Sequence, residues 1–426
     1  MYTYNTKTFQ AVDKGIICPQ LPPPASFLDI QNKTMQENCL IVNIYVPNTK
    51  RKNLPVLVFI HGGAFLIAYG DILTPKKIVS SKEIIVLNFN YRLGAHGFLC
   101  LGTKDIPGNA GLKDQVALLR WVQQNIVYFG GNPYDVTITG FSAGSSSVGL
   151  LTLSEMASGL FKKAIQESGD IASSYVMQVN PIQNAINYAK LLNFNENNIT
   201  ALETFYKMLS IEVLQSGNTL NTPSFSVLVS PCVERDVGQE IFLKSSPDYL
   251  IKSGKFMKLP MLIGFTNMEG LMLEASFDGF KDDLNENFSS FLPAYLGFSN
   301  KEQETKVATE IKHFYFGEEL ITNKNILGYI DFNTDSIFAC PCLKTVKELV
   351  RAGNENIYLF YYSFVDEAST PPVIYTNVRG AQHAAETYAV LDGINGTYLD
   401  ESHISNKLRN WKLFMRDIWF NFIKSG

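Results

Sequence analysis

The sequence predicts an α/β fold in which helices cover both faces of a mostly parallel sheet. Near-continuous apolar and β-branched runs recur along the chain. That is the pattern of strands buried on both faces, not the alternation of a sheet wetted on one side. Between these runs lie segments whose apolar residues repeat every three or four positions, the period of amphipathic helices. Alternation of the two kinds of segment points to α/β architecture.

The strand candidates are, in order, LIVNIYV (40–46), PVLVFI (55–60), EIIVLNFN (83–90), DVTITGF (135–141), LPMLIGF (259–265) and NIYLFYYSF (356–364). The clearest helix is GLKDQVALLRWVQQNI (111–126), with Leu112, Val116, Leu119, Val122 and Ile126 on one face. Residues 171–255 and 270–350 lean helical and lack clear strands, so they read as insertions covering the carboxyl ends of the sheet. No repeat, low-complexity tract or linker divides the chain, and residues 1–426 are taken as one domain.

Composition narrows the function. With 426 residues, 46% hydrophobic and 18% charged, the chain is long and apolar enough to bury a large core. Its 36 basic and 40 acidic residues are spread along the chain, so no basic patch invites phosphates and nucleic acid is not expected as a partner. No apolar run approaches the ~20 residues that span a bilayer. The opening MYTYNTKTFQ has neither the basic nor the apolar region of a signal peptide, whereas sequons at Asn32, Asn198, Asn287 and Asn395 fit secretion. Six cysteines, at 18, 39, 100, 232, 340 and 342, form no C-x-x-C pair, so neither a zinc site nor metal catalysis is expected.

The most informative stretch is Gly140-Phe141-Ser142-Ala143-Gly144. DVTIT before it is a strand candidate, and Ser145 to Leu153 can continue as helix. Strand, sharp turn and helix make a nucleophile elbow, in which a strained serine projects its hydroxyl above the sheet edge and the flanking positions must lack bulk. A plain Gly-Ser turn is the other reading, and partners for the serine decide between them.

Those partners are a base, a group that orients it, and donors for an oxyanion. The turn FIHGGAF (59–65) follows a strand, and there the N–H groups of Gly63 and Ala64 can join that of Ala143. An ordinary Gly-Gly turn reads the same. Of five histidines, His61 lies in that turn, His96 in a loop, and His313 and His403 in charged helical segments. His383, in NVRGAQHAAETYAVL, comes after the last strand, where the order serine, acid, histidine places the base. Glu269, in LPMLIGFTNMEGLML, follows a strand between the two and is the candidate acid; a solvated loop carboxylate is the alternative.

Together these segments resemble the type-B carboxylesterase family, the cholinesterase-like α/β-hydrolases, and within it the insect carboxylesterases above all. Over most of the chain the resemblance is carried in order by CPQ (18–20), ENCLIVNIYVP (37–47), HGGAF (61–65), NYRLGAHGFL (90–99), GNAGLKDQVALLRWVQQNI (108–126), FGGNPYDVTITGFSAG (129–144), LIGFTNMEG (262–270) and GAQHAAE (380–386). It implies an α/β-hydrolase fold with helical insertions over the active site. Ser142 is then the nucleophile, His383 the general base and acid, Glu269 its orienting carboxylate, and Gly63, Ala64 and Ala143 the oxyanion hole. The same resemblance implies a disulfide between Cys18 and Cys39. It assigns no partner to Cys100, Cys232, Cys340 or Cys342, which are expected to be free buried thiols.

Some positions depart from the family. Phe141 stands where the family often carries Glu or Gln, and no tryptophan lies between Cys18 and Cys39 to hold a quaternary ammonium, which argues against choline esters. Both ends look short beside the family pattern. The resemblance implies a secreted protein; a chain complete as it stands would be cytoplasmic. The expected function is a serine carboxylesterase acting on a small ester without a cofactor. The alternatives are an inert adhesion or interaction protein of the same fold, and a lipase.

Overall fold

The structure is a computed structural model describing residues 11, 15–22, 28, 30–217, 220–221, 224–293, 296–367, 379–393 and 401–426. Its central sheet has seven strands: β1 (Val42–Tyr45), β2 (Leu54–Ile60), β3 (Ile85–Phe89), β4 (Gly131–Phe141), β5 (Lys163–Glu167), β6 (Met261–Thr266) and β7 (Ile357–Tyr362). They lie in the order β7-β6-β5-β4-β2-β3-β1. Every pairing is parallel except that of β1 with β3.

Successive side chains of β2 divide between the two faces. Val56, Val58 and Ile60 pack with Leu112, Val116, Leu119 and Val122 of helix α1 (Ala110–Asn125). Leu57 and Phe59 pack on the other side with Trp419, Phe422 and Ile423 of α6 (Asn406–Ser425). Apolar cover on both faces explains the near-continuous runs in the central strands. Between α1 and α6 in the chain come α2 (Ala143–Leu153), α3 (Lys301–Phe316), α4 (Ile326–Asn333) and α5 (Cys340–Arg351). The last three belong to the second insertion. The first insertion carries, besides helices, a two-stranded ladder of Leu220–Asn221 with Ser226–Val227 that its sequence does not announce.

Strand β5 escapes sequence analysis because KAIQE is short and has charged ends. All five residues are nonetheless buried. Lys163 meets Asp135 and the carbonyl of Ile423, each at 2.6 Å, and Glu167 accepts a hydrogen bond from Thr387 at 2.7 Å. Polar partners supplied from distant segments make that burial tolerable.

Cys18 is bonded to Cys39. The expectation of four free thiols needs correction, because Cys100 is bonded to Cys232 across 132 residues. Asn109 brings these two segments together: its amide donates to the Cys232 carbonyl and accepts from the Cys232 N–H. A Cβ at Gly108, whose φ is +108°, would lie 2.6 Å from the Cys232 sulfur and 2.8 Å from that of Cys100, so only glycine fits beside the bridge. Cys340 and Cys342 are free, but Cys340 is exposed and only Cys342 is buried. Of the sequons, Asn32, Asn198 and Asn287 are exposed, and Asn395 lies outside the described residues. Among the described residues no helix is long and apolar enough to cross a membrane.

Candidate active site

Strand β4 ends at Phe141 and α2 begins at Ala143, so Ser142 alone makes the turn, with φ 55° and ψ −127°. Such backbone is costly for any residue with a side chain and persists only where its surroundings enforce it. They do so by close approach. A Cβ at Gly140 would sit 2.5 Å from the carbonyl carbon of Gly144, and one at Gly144 would sit 2.1 Å from the carbonyl oxygen of Ile60. The two glycines therefore let the turn close against the end of β2. The Ser142 N–H is fixed by the carbonyl of Glu167, 2.9 Å away.

The HGGAF turn lies directly on the serine, since a Cβ at Gly62 would be 2.9 Å from Ser142 Cβ. Gly63, Ala64 and Phe65 all have positive φ, at 102°, 54° and 63°. Among the described residues, none of the N–H groups of Gly63, Ala64 and Ala143 donates a hydrogen bond within the protein. That of Ala143 also opens a helix, where the dipole favours negative charge. His61 is a structural member of this turn. Its Nδ1 meets the Gly62 carbonyl at 2.8 Å, its ring stacks on Tyr91, and burial pushes its pKa down to about 4.

Glu269 follows β6 directly and has no solvent exposure. Its Oε1 accepts from the Thr266 N–H at 2.8 Å and the Ser168 hydroxyl at 2.7 Å, and its Oε2 lies 2.6 Å from Nδ1 of His383. A carboxylate facing these donors can only accept, so Nδ1 carries the ring proton and Nε2 is left as the basic nitrogen. The His383 ring is flanked by Phe338, with centroids 4.7 Å apart, and by Phe141, at 6.5 Å. Phe141, the departure beside Ser142, thus forms an apolar wall for the His383 imidazole. The loop carrying His383 is stitched to that carrying Glu269: Ala381 N donates to Asn267 Oδ1 at 2.9 Å, and Met268 N to the Ala381 carbonyl at 3.1 Å.

Behind Glu269 lies a polar layer that sequence reasoning missed. The Ser168 hydroxyl bridges Glu269 and Glu386. Burial, with Glu269 and Glu167 nearby, pushes the Glu386 carboxyl well above the usual range, and burial pushes Glu167 up to about 8. One hydroxyl proton cannot serve two carboxylates. A protonated Glu386 resolves this by donating to Ser168, which donates to Glu269. The only signal in the sequence was Glu386 inside GAQHAAE, three residues after the histidine.

The arrangement combines a strained serine, free donors beside it, and an imidazole held by a buried carboxylate. A carboxylesterase family model matches residues 3–426. Esterase FE4 of Myzus persicae is 32% identical over 410 residues, covering 92% of this chain and 71% of that protein. Juvenile hormone esterase of Heliothis virescens is 33% identical over 434 residues, covering 97% and 75%. The crystal structure of juvenile hormone esterase from Manduca sexta, with OTFP covalently attached, superposes with a TM-score of 0.85 at 30% identity, covering 96% of this chain and 78% of that one.

Proposed function

The chain belongs to the carboxylesterase family, and on that basis we propose that it hydrolyses carboxylic esters through an acyl-enzyme on Ser142. The observation that carries this reading is the 2.6 Å contact of His383 Nδ1 with Glu269 Oε2, which leaves Nε2 free to take a serine proton. Ser142 Oγ bonds to the ester carbonyl carbon as its proton passes to His383, and the carbonyl oxygen becomes an oxyanion facing the N–H groups of Gly63, Ala64 and Ala143. Collapse breaks the bond to the alcohol, which leaves with the proton from His383. Water then attacks the acyl carbon, gives a proton to His383, and the acid departs as that proton returns to Ser142 Oγ. None of these steps calls for a cofactor.

The aromatic surroundings of Phe141, Tyr175 and Phe338 suit an apolar ester, and the absence of tryptophan between Cys18 and Cys39 speaks against a quaternary ammonium substrate. Two disulfides and three exposed sequons support an oxidising, secretory destination. The even spread of charge supports a small molecule, not a nucleic acid, as the partner, and residues 1–426 act as one catalytic unit.

Hydrolysis of p-nitrophenyl acetate by the full chain, compared with S142A and H383A, tests the reading. Turnover by the parent and its loss in both variants is the expected result. An S142A variant as active as the parent overturns it.

A further inference from the structure

Arg416, on α6, is 1% exposed and carries a charge that burial makes costly unless it is paired. Its guanidinium finds three partners. Nη2 donates to Asp392 Oδ1 at 2.8 Å and to Glu401 Oε1, Nη1 to Glu401 Oε2 at 3.1 Å, and Nε to the Val390 carbonyl at 2.9 Å. One turn earlier on α6, the buried Lys412 ammonium donates to the carbonyls of Tyr388 and Leu391 and lies 3.7 Å from Glu401. Two cations and two carboxylates thus balance one another away from water.

The segment that receives these donors is the one that carries His383. A short helix, Ala385–Val390, begins two residues after the histidine, and the carbonyls of Tyr388, Val390 and Leu391 lie at its carboxyl end. Carbonyls there lack partners within the helix, and positive charge is favoured beside them. Asp392 is also held on its other side. Its backbone exchanges two hydrogen bonds with Thr74, each 2.7 Å, and its Oδ2 accepts from the Lys77 N–H at 2.6 Å. At the amino end, Ala384 N donates to Ser168 Oγ at 3.3 Å and Thr387 Oγ1 to Glu167 Oε2 at 2.7 Å. Residues 383–392 are therefore clamped at one end by β5 and its loop, and at the other by α6.

Such a clamp does more for position than for stability. Apolar packing in place of a buried ion cluster is often as stable, whereas a planar guanidinium fork and its acceptors admit one arrangement. At 1.5 Å per residue the six-residue helix is only about 9 Å long, so a shift at its carboxyl end is felt at the histidine. His383 Nδ1 has to stay at 2.6 Å from Glu269 Oε2 while Nε2 takes the serine proton. Misplacement by about 1 Å can cost a reaction about a hundredfold.

From this geometry we infer that Arg416 is a positioning residue for the hydrolysis: through Asp392 and the carboxyl end of Ala385–Val390 it holds His383 in register with Glu269 and Ser142. The inference rests on the proposed roles of Ser142 and His383. Arg416 acts only through the histidine, so its loss slows turnover and leaves KM in place.

The test compares the parent with R416A, R416K, C100S/C232S, H383A and S142A in hydrolysis of p-nitrophenyl acetate. Titration with an organophosphonate, run to completion, first counts the active sites in each preparation. R416K keeps the charge and loses the fork, and it carries the test alone if R416A does not fold. The expected result is a fall in kcat per titrated site of about a hundredfold in R416A and about tenfold in R416K, at the parent KM. C100S/C232S, destabilised far from the clamp, keeps the parent rate per site. An Arg416 that only stabilises the fold would lower the number of sites and not the rate of each. Parent rates per site in the Arg416 variants, with H383A and S142A inert, overturn this inference alone. An equal fall in C100S/C232S also overturns it, because loosening anywhere would then have the same effect. An active S142A overturns the nucleophile assignment on which the inference rests.

Discussion

His383 Nδ1 lies 2.6 Å from Oε2 of Glu269, and the carboxylate at the other end of that contact is sealed from solvent. The pair fixes both the tautomer and the orientation of the ring. Changing Glu269 to Gln keeps the shape but presents an amide where a carboxylate is needed. A fall in kcat of about 10⁴ is expected for E269Q, the size found when the acid of such a triad is neutralised. Steady-state kinetics on p-nitrophenyl acetate measure it, and a loss under tenfold contradicts the orienting role.

Ser168 joins Glu269 to Glu386, so S168A strands a buried carboxyl and takes one of three donors from Glu269. Loss of about 1–3 kcal/mol of stability is expected, as for other buried groups left unpaired. Activity falls less than in E269Q, because Thr266 N and His383 still hold the carboxylate. Urea unfolding of the two chains checks the stability, and an unchanged midpoint speaks against the bridge.

Asp170 is buried, accepts from Thr345 at 2.5 Å and from Ala172 N at 2.8 Å, and is pushed by burial up to about 7. Its folded pKa exceeds the ordinary 3.8, so between those values the folded chain holds a proton that the unfolded chain has released. Stability therefore falls as pH rises through that window, by up to about 1.4 kcal/mol per pH unit from this group. D170N removes the dependence. The stability of D170N relative to the parent should climb from pH 4 to pH 7 and level off above; a flat difference in thermal melts across that range refutes the assignment.

The pairing of Cys100 with Cys232 and the burial of Cys342 predict thiol counts. A thiol reagent should modify Cys340 and spare Cys342 in the native chain. Denaturation without reductant should expose Cys342 as the second reactive thiol, and reduction should release the four bonded cysteines. Two further thiols in the unreduced, denatured chain, mapped to Cys100 and Cys232, would mean that these two are not bonded. Replacing both by Ser should cost about 2–5 kcal/mol, read from the unfolding midpoint.

Much of the candidate site could be located in the chain because its residues sit at element boundaries that local pattern marks. Ser142 follows a β-branched run between two glycines, and Glu269 follows another strand. What stayed hidden depends on contacts across long separations. Strand β5 reads as polar, and its burial depends on distant partners: Asp135 and the Ile423 carbonyl for Lys163, and the Thr387 hydroxyl for Glu167. Ser168 and Glu386 are 218 residues apart, and Ser168 carries no local signature of its role. Cys100 and Cys232 look unpaired because spacing does not encode connectivity.

The most direct test of the central claim is peptide mapping by mass spectrometry after the full chain reacts with an organophosphonate. The account predicts one adduct, on the peptide containing Ser142, that is abolished in S142A and strongly slowed in H383A. A folded chain that remains unmodified, or that carries its adduct on another residue, contradicts it.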